Sequence, residues 1–348
     1  MNARIYRNDS ITKLEYTNET KRSLYTMLTY GGTHAGPEAT AIQYYNNHIS
    51  YASLMDQVHA CAAGLMQHGV KKGDFVTIFL PNIPQSVIAV YAVNRIGAVC
   101  NLVHPLSTKD EFRYAVELTE SRIVLTFELN EEHCSGLDVE VIRCKTPAYF
   151  PANVKGRIMK TVYNHKVRHA KQTTGRSSEW EALLEEGREF LKTASLPPHD
   201  VRAEDTAVIM YTGGTTGPSK GVMLSNTSAN YLATQLLYDY VDGKPHIGDG
   251  FLAVLPIFHA FGLTVCIHTP LSSGMRVALC PRFDAKECAK LIVEEKMAFL
   301  CGVPAMYERM YPHLKGKDLS CVKHLVCGGD RVSPELAYRY NDILGKDK

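Results

Sequence analysis

The sequence predicts an α/β fold in which a parallel sheet is covered by helices. Strand and helix patterns alternate between residues 50 and 126, and the alternation resumes after residue 205. Two later segments, FLAVLP (251–256) and RVALC (276–280), are continuously apolar, which is typical of central strands covered on both faces. Because short turns rich in Gly, Pro and Asn connect the elements, we expect the strands to be parallel and the helices to pack on the sheet.

The first alternating region predicts three helices and three strands from its apolar periodicity. Helices are predicted at residues 50–70, 84–98 and 107–120, and strands at 74–81, 99–105 and 122–127. Ser107 is followed by Asp110 and Glu111. A hydroxyl and two acidic side chains stabilise the positive end of a helix, so Ser107 is predicted to cap the third helix.

The second alternating region predicts a larger set of elements on the same grounds. Strands are predicted at 206–212, 221–224, 251–256, 276–281, 298–304 and 322–329, and helices at 225–241, 261–274, 284–296, 305–314 and 333–344. Ser225 or Asn226 is predicted to cap the first of these helices. Asp330 or Ser333 is predicted to cap the last one, which Pro334 begins.

The composition is that of an ordinary globular protein. With 348 residues, 45% of them hydrophobic and 21% charged, the chain is long enough for two domains and a large core. The formal net charge of +2 indicates no overall field that would attract nucleic acid. The longest apolar run, at 86–103, is interrupted by Asn94 and Arg95, so no transmembrane segment is predicted.

The cysteines and the N-terminal segment indicate the compartment. None of the ten cysteines forms a CxxC pair, and no His/Cys cluster has the spacing of zinc ligands. The sequence begins with a polar segment that lacks the apolar core of a signal peptide. We therefore predict reduced thiols that serve as core residues and have no metal or redox role, no metal ligand among the residues of this sequence, and a cytoplasmic location.

Residues 143–176 form a one-sided basic stretch. They include nine Lys or Arg residues and no Asp or Glu. Such a run is usually a solvated loop or helix face, which is the interpretation we favour. The alternative is a patch for anionic lipid or cofactor phosphates, which leaves peripheral membrane contact open. The nine residues are Arg143, Lys145, Lys155, Arg157, Lys160, Lys166, Arg168, Lys171 and Arg176.

The stretch YTGGTTGPSKG (211–221) has the composition of an anion-binding loop. Glycines let the backbone approach a ligand and turn successive N–H groups toward one point, while threonine and lysine side chains add donors and charge. The order Lys220-Gly221 excludes a Walker loop, in which Ser or Thr follows the Lys. A plain surface turn is the alternative. The predicted polyphosphate contacts are Thr212, Gly213, Gly214, Thr215, Thr216, Gly217 and Lys220.

Four motifs, in this order, resemble the adenylate-forming superfamily of acyl-CoA synthetases, peptide adenylation domains and luciferases. YTGGTTGPSKGVMLSN resembles the phosphate-binding signature of the fatty acyl-CoA ligase branch, and VLPIFHAFGLT resembles the aromatic/His motif. FLCGVPAMYERM is similar to the strand and helix beside the acyl pocket, and LVCGGDRVSPEL to the strand and turn that meet adenine. The resemblance extends from about residue 49 to the last residues.

The resemblance implies the family's large N-terminal domain, with two mostly parallel sheets layered with helices and subdomains of about 20–200 and 201–348. Relatives continue to a Tyr-Gly-x-Thr-Glu motif whose Glu holds Mg²⁺, a ribose-binding Asp, a hinge and a small C-terminal lid domain with a catalytic lysine. These segments do not occur in the sequence. We therefore expect a truncated domain with no assigned catalytic residue, weak nucleotide binding, no turnover, and exposed sheet edges that favour self-association.

The resemblance also implies ATP-dependent activation of a carboxylic acid, with a fatty acid favoured. The carboxylate is joined to AMP with release of pyrophosphate, and coenzyme A then displaces AMP to form a thioester. ATP, Mg²⁺ and coenzyme A are the implied co-substrates and cofactors. Chemistry of this kind requires mainly positioning and charge neutralisation from the protein.

The remaining motifs imply contacts to the acyl group, the pantetheine arm and adenine. For His259 taken alone, a hydrogen-bonded core histidine is the alternative. For residues 328–330 the alternative is an ordinary strand-to-helix turn, which is compatible with ligand binding at the end of a parallel strand. The implied acyl and pantetheine residues are Phe258, His259, Gly262, Gly302 and Val303, and the implied adenine-side residues are Gly328, Gly329 and Asp330.

Two other functions remain open at this point. An adenylating ligase for aryl or amino acids would share the same motifs. An amino acid substrate calls for an Asp near the aromatic/His motif, and none occurs between residues 251 and 275, which favours a fatty or aromatic acid. A non-catalytic nucleotide-binding or scaffolding protein of the same fold is the alternative from another class.

Overall fold

The computed structural model describes residues 21–173, 175–212, 219–237 and 246–345. Within these ranges the chain forms helices and strands in the predicted α/β arrangement. The α-helices are α1 (Leu24–Ala35), α2 (Tyr51–Gln67), α3 (Pro84–Arg95), α4 (Lys109–Thr119), α5 (Val154–Val167), α6 (Trp180–Thr193), α7 (Asn226–Gln235), α8 (Thr269–Ser272), α9 (Ala285–Glu294), α10 (Pro304–Leu314) and α11 (Pro334–Leu344).

The strands fall into two sheets. They are β1 (Thr40–Tyr44), β2 (Asn47–Ser50), β3 (Phe75–Phe79), β4 (Val99–Leu102), β5 (Ile123–Thr126), β6 (Glu140–Arg143), β7 (Ser177–Glu179), β8 (Thr206–Tyr211), β9 (Gly221–Ser225), β10 (Gly250–Ala253), β11 (Arg276–Leu279), β12 (Met297–Gly302) and β13 (His324–Cys327). One sheet has the order β7-β6-β5-β3-β4-β8-β9, and the other has the order β13-β12-β10-β11-β1-β2.

Both sheets are parallel except for one antiparallel edge strand each. β9 pairs antiparallel with β8, and β2 pairs antiparallel with β1. The prediction of two mostly parallel sheets layered with helices is confirmed. The continuously apolar segments also lie where they were expected, because β10 and β11 are interior strands of the six-stranded sheet.

The division near residue 200 does not coincide with the division between the sheets. β8 and β9 follow residue 200 in the chain, yet they extend the sheet formed by β3 to β7. β1 and β2 precede it, yet they join the sheet of β10 to β13, with Ile42 opposite Val277. Each of the two subdomains proposed from the resemblance therefore contributes two strands to the sheet that is formed mainly by the other.

The helix caps follow the predicted side-chain chemistry with one correction. Ser225 caps α7 and Ser333 caps α11. The prediction of Ser107 as the cap of α4 is wrong, because Thr108 occupies that position and accepts a hydrogen bond from the Glu111 N–H. The Glu111 carboxylate in turn accepts from the Thr108 N–H at 2.8 Å. A cap one residue later places a glutamate at the third helical position, which is long enough to close this reciprocal pair.

Several elements were not predicted from the sequence, namely α1, β1, β2, β6, α5, β7 and α6. The predicted helix at 261–274 is a π-helical segment, Phe261–His268, followed by the single turn of α8. The predicted helix at 225–241 ends at Gln235 as α7, and residues 238–241 lie outside the described ranges. In the described part of the chain, no helix has both the length and the apolarity needed to cross a membrane.

The cysteines behave as core residues. All ten are free thiols, and eight of them are buried. Burial raises the pKa of Cys61 and Cys100 well above the ordinary thiol value. A thiol that stays protonated is a poor nucleophile, so these two side chains serve as small apolar residues.

His268 is a buried polar residue at the centre of the core. It is 1% exposed. Its Nδ1 lies 3.0 Å from the Tyr91 hydroxyl, and its Nε2 lies 2.7 Å from Asn230 Oδ1. A neutral ring satisfies both partners by accepting from Tyr91 and donating to the amide oxygen. Burial lowers the pKa of His268 from 6.5 to about 3, because the charged form would be desolvated.

This histidine predicts a pH-dependent stability. Between pH 6.5 and 3 the unfolded chain binds a proton at His268 that the native chain does not bind, so acidification through this window favours unfolding. We expect His268 to contribute a loss of about 1.4 kcal/mol in the free energy of unfolding for each pH unit below 6.5. Urea unfolding at pH 7, 6 and 5 measures the slope.

The variant His268→Gln lacks the titrating group, so its free energy of unfolding is expected to depend less steeply on pH. At neutral pH that free energy is expected to be lower than in the wild type. The control is His34→Gln, at an exposed position of α1, which should keep the wild-type slope. Equal slopes for wild type and His268→Gln would contradict the assignment.

Candidate functional site

A cavity of about 640 Å³ lies at the carboxyl ends of β4 and β8. Ligands of parallel sheets bind at this edge, where loops leave the strands. The cavity is lined by residues from the two strand ends, the start of α4 and the predicted phosphate and aromatic/His motifs. They are Leu102, Val103, His104, Leu106, Ser107, Asp110, Glu111, Tyr114, Ala115, Tyr211, Thr212, Ser219, Phe258 and His259.

The strands on either side of the predicted phosphate segment pair with each other next to this cavity. β8 and β9 form an antiparallel hairpin, and the Thr212 N–H extends it by donating to the Lys220 carbonyl at 3.1 Å. Thr212 and Ser219 both line the cavity. Of the predicted contacts, Gly213, Gly214, Thr215, Thr216 and Gly217 lie outside the described residues.

Tyr211 anchors the end of β8 beneath the cavity. Its hydroxyl donates to Asn101 Oδ1 at 2.8 Å. The Asn101 amide in turn donates to Thr77 Oγ1 and to Thr119 Oγ1. Burial raises the pKa of Tyr211 to about 12, so the phenol remains a donor at neutral pH. This buried network ties the start of the phosphate segment to β3, β4 and α4.

Phe258 and His259 form one wall of the cavity together with a residue that sequence reasoning missed, His104. The His104 ring centroid lies 4.3 Å from that of Phe258 and 6.4 Å from that of His259. Its Nδ1 accepts a hydrogen bond from the Leu106 N–H at 2.9 Å, which leaves Nε2 as the protonated nitrogen. Its position after a buried strand and before Pro105 was the available signal.

Neither His104 nor His259 is a buried core histidine, which was the alternative interpretation of His259. His259 is exposed on the cavity wall, so that alternative is wrong for this residue. Desolvation and the neighbouring charge of His259 lower the pKa of His104. A lowered pKa keeps the His104 imidazole neutral at neutral pH. The wall therefore offers a neutral N–H donor beside an aromatic face.

The other predicted residues lie at the ends of β12 and β13 or in the π-helical segment that begins at Phe261. The Gly328 N–H donates to the Gly302 carbonyl at 3.2 Å, where β12 and β13 end side by side. A Cβ at Gly328 would lie 2.9 Å from the Phe261 ring, and one at Gly329 would lie 3.2 Å from Val303. Gly329 also has a φ of +80°, which disfavours any other residue.

Two of the predicted residues have local structural roles. A Cβ on Gly262 would lie 1.9 Å from the Pro256 carbonyl oxygen, so the glycine lets the π-helical segment approach the end of the strand before it. Asp330 is exposed, and its carboxylate accepts from the Arg331 N–H at 2.7 Å. Ser333, rather than Asp330, caps α11.

The predicted residues thus occupy two adjoining places. Thr212, Phe258 and His259 line the cavity, while the second group lies at the ends of β12 and β13 and in the π-helical segment. The second group comprises Gly262, Gly302, Val303, Gly328, Gly329 and Asp330. None of these is among the described residues that line the cavity.

Asn82 joins the two sheets beside the site. It follows β3 and is buried. Its amide nitrogen donates to the carbonyls of Leu255 and Ala253, and its Oδ1 accepts from the Ile257 N–H at 2.8 Å. One side chain therefore holds the segment that leads into Phe258 against the other sheet.

We expect Asn82→Ala to lower the free energy of unfolding by about 2 kcal/mol, because it leaves buried backbone groups without partners. Chemical denaturation measures this loss. Asn47→Ala is the matched control, since the Asn47 side chain makes one hydrogen bond, to the Tyr149 carbonyl, near the surface. If both variants lost the same stability, Asn82 would not be the connection described here.

The comparisons with known proteins agree with this architecture. The model of the AMP-binding enzyme family matches residues 33–348. A long-chain-fatty-acid–CoA ligase of Bacillus subtilis is 28% identical over 354 residues, covering 98% of this chain and 60% of that protein. A feruloyl-CoA synthase of an Amycolatopsis species is 28% identical, covering 88% of this chain and 54% of that protein. This chain spans about half to three-fifths of these relatives.

Solved structures share the fold at lower identity. The N-terminal domain of FACL13 from Mycobacterium tuberculosis superposes with a TM-score of 0.70 at 21% identity, covering 92% of this chain and 74% of that one. ATP-bound MatB from Rhodopseudomonas palustris gives a TM-score of 0.69 at 23% identity, covering 94% of this chain and 59% of that one. With the family model matched over most of its length, the chain belongs to the AMP-binding enzymes.

Proposed function

We propose that the protein activates a carboxylic acid, with a fatty acid favoured, by joining it to AMP and then transferring the acyl group to coenzyme A. The observation that carries the proposal is the convergence of Thr212, Ser219, Phe258 and His259 on one cavity at the carboxyl ends of parallel strands. The two described ends of the predicted phosphate segment line the same cavity as the apolar, histidine-bearing wall, which supports the proposal. This is the arrangement required to bring a triphosphate to a carboxylate.

In the first step a carboxylate oxygen attacks the α-phosphorus of ATP, the bond to the β-phosphate oxygen breaks, and pyrophosphate leaves. The protein's part is to hold the two anions together and to offset their charge. We assign this part to Lys220 and to the threonine hydroxyls and backbone N–H groups of residues 212–217. His104 offers a neutral N–H that would donate to an acyl or phosphate oxygen without a full positive charge.

In the second step the sulfur of coenzyme A attacks the acyl carbon, the bond to the AMP oxygen breaks, and the thiol proton is released. The exposed imidazole of His259 and the ring of Phe258 both line the cavity. We assign them to the boundary between the acyl group and the pantetheine arm, where an apolar surface excludes water from the reactive acyl-adenylate.

Mg²⁺ would accompany the triphosphate and supply further charge neutralisation. Within the described ranges, no three His, Cys, Asp or Glu side chains are grouped so that they could hold a metal ion. We therefore assign no metal ligand in this chain. Among its own side chains, the charged group that we assign to neutralise the triphosphate is Lys220.

The identity of the acid rests on the character of the cavity wall and on the relatives. Leu102, Val103 and Phe258 give the wall an apolar lining, which suits an alkyl or aryl group. A fatty acid ligase is among the relatives and favours the alkyl group. Feruloyl-CoA synthases are also among them, so an aryl acid is the second candidate.

An ATP–pyrophosphate exchange panel with fatty, aryl and amino acids tests the proposal. It should be run on the longest product of the reading frame that contains this sequence. We expect exchange with fatty acids above that with aryl acids, and none with amino acids. Exchange confined to amino acids would overturn the substrate assignment, and ATP binding without any exchange would favour the non-catalytic alternative.

A further inference from the structure

Helix α5 lies on the surface and packs through one narrow face. Gly156 is its one buried residue, and a Cβ there would lie 1.7 Å from the Pro151 carbonyl oxygen. Tyr163 is half-buried, and its hydroxyl donates to Glu128 Oε2 at 3.1 Å. Met159 and Val167 are half-buried on the same face. The orientation of the helix is therefore set, and its opposite face points away from the protein.

That outer face carries an apolar stripe. Val154, Ile158 and Val162 are 64%, 60% and 50% exposed. Their spacing of four residues places them along one side of the helix, at successive rotations of about 40°. Three aliphatic residues in line on the solvent face are not explained by folding, because they bury little against the chain itself.

Basic residues border the stripe on both sides. At about 100° per residue, Lys155 and Lys166 fall along one border, and Arg157 and Arg168 fall along the other. Residues 144–178 contain no Asp or Glu. In the part of the chain that the structure describes, these four cations form no ion pair with a carboxylate.

The other cations of the basic stretch have a different role. Arg143 forms two short hydrogen bonds with the buried Glu131 carboxylate. Lys145 pairs with Glu179, Lys171 with Glu132 and Arg176 with Asp138. These ion pairs stabilise the surrounding loops. The cations of α5 are therefore the ones that remain available to bind an anionic partner.

We propose that α5 docks this protein on an anionic lipid surface, with the stripe of Val154, Ile158 and Val162 at the boundary between headgroups and acyl chains. A helix with a narrow apolar stripe between two rows of Lys and Arg lies in the plane of such an interface. The long basic side chains reach the lipid phosphates on either side while their stems cover apolar surface. The charge complementarity is with phosphate headgroups, and the flanking rows exclude a neutral surface.

Co-sedimentation with vesicles tests the proposal on the full chain. We expect binding to phosphatidylcholine vesicles that contain phosphatidylglycerol, no binding to phosphatidylcholine alone, and release by high salt. The double variant Lys155→Gln/Lys166→Gln should bind about tenfold or more weakly. Lys286→Gln/Lys290→Gln on α9 removes the same charge from exposed positions and should bind like wild type.

The apolar stripe is tested separately from the charge. Ile158→Gln should weaken vesicle binding several-fold, whereas Leu118→Gln, at a 51% exposed position of α4, should not. Fluorescence of Trp180, the single tryptophan, checks that each variant is folded. Equal loss in the α5 and α9 charge variants would overturn the proposal, and so would binding to polyglutamate without binding to anionic vesicles, because the partner would then be an acidic protein surface.

Discussion

Replacing Gly187 by alanine is expected to destabilise the protein by about 3 kcal/mol, because this single methyl group has no space. Gly187 lies in α6 where that helix crosses α2. A Cβ at this position would lie 1.8 Å from the Ala60 carbonyl oxygen and 2.9 Å from the Gly64 nitrogen. Gly64 faces the same crossing, with a Cβ there 2.4 Å from the Leu183 carbonyl oxygen.

Both contacts are with backbone atoms, so no side-chain rotation relieves them. The helices must move apart, and this exposes the apolar layer that they cover, including the fully buried Trp180 and Leu183. The loss of packing outweighs the higher helix propensity of alanine, which is worth about 1 kcal/mol.

Chemical denaturation of Gly187→Ala and of the control Gly175→Ala measures the effect. At Gly175 the nearest atom to an added Cβ is 3.6 Å away, an ordinary contact, so this control should change the free energy of unfolding by less than about 1 kcal/mol. Similar stabilities for the two variants would mean that α2 and α6 do not pack as closely as described.

The second large effect is expected at Lys220. Its carbonyl accepts from the N–H of Thr212, which lines the cavity, and it follows Ser219, which also lines it, although Lys220 is not itself a lining residue. If the proposed function is correct, its ammonium group neutralises charge on the triphosphate as pyrophosphate leaves. We therefore expect Lys220→Ala to reduce ATP–pyrophosphate exchange by about 10²- to 10³-fold.

Two variants make this measurement specific. Lys220→Arg keeps the positive charge and should retain more exchange than Lys220→Ala, although guanidinium and ammonium groups are not interchangeable in geometry. Lys290→Ala, on the exposed face of α9, should leave the exchange rate unchanged. A rate for Lys220→Ala close to that of wild type would remove Lys220 from the proposed site.

Much of the fold was predictable because its signals are local. The helices α2, α3 and α4 and the strands between them follow from apolar periodicity within a few residues. The strands on either side of the glycine-rich segment were predicted from their apolar runs, but their antiparallel pairing was not. β1, β2 and α6 were missed, since their patterns are short or largely polar and are stabilised by partners elsewhere in the chain.

The candidate site was predicted in part for the same reason. Thr212, Phe258 and His259 belong to motifs whose residue types indicate their chemistry, and the structure brings them to one cavity. His104 and Asn82 have no comparable local signal. Each matters because of a residue more than 150 positions away, Phe258 for the first and Ile257 for the second.

Residue order was enough to predict the α/β class and to show the basic character of residues 143–176, and it led to the hypothesis that residues 211–221 bind an anion. The tertiary structure decided which strands share a sheet, with Ile42 opposite Val277, and which cations of the basic stretch are paired. The periodicity of apolar residues along one helix or strand indicates which of its residues face the core, because that depends only on positions within the same element. The partner across the core depends on how distant elements pack, and that is determined by the whole chain folding at once.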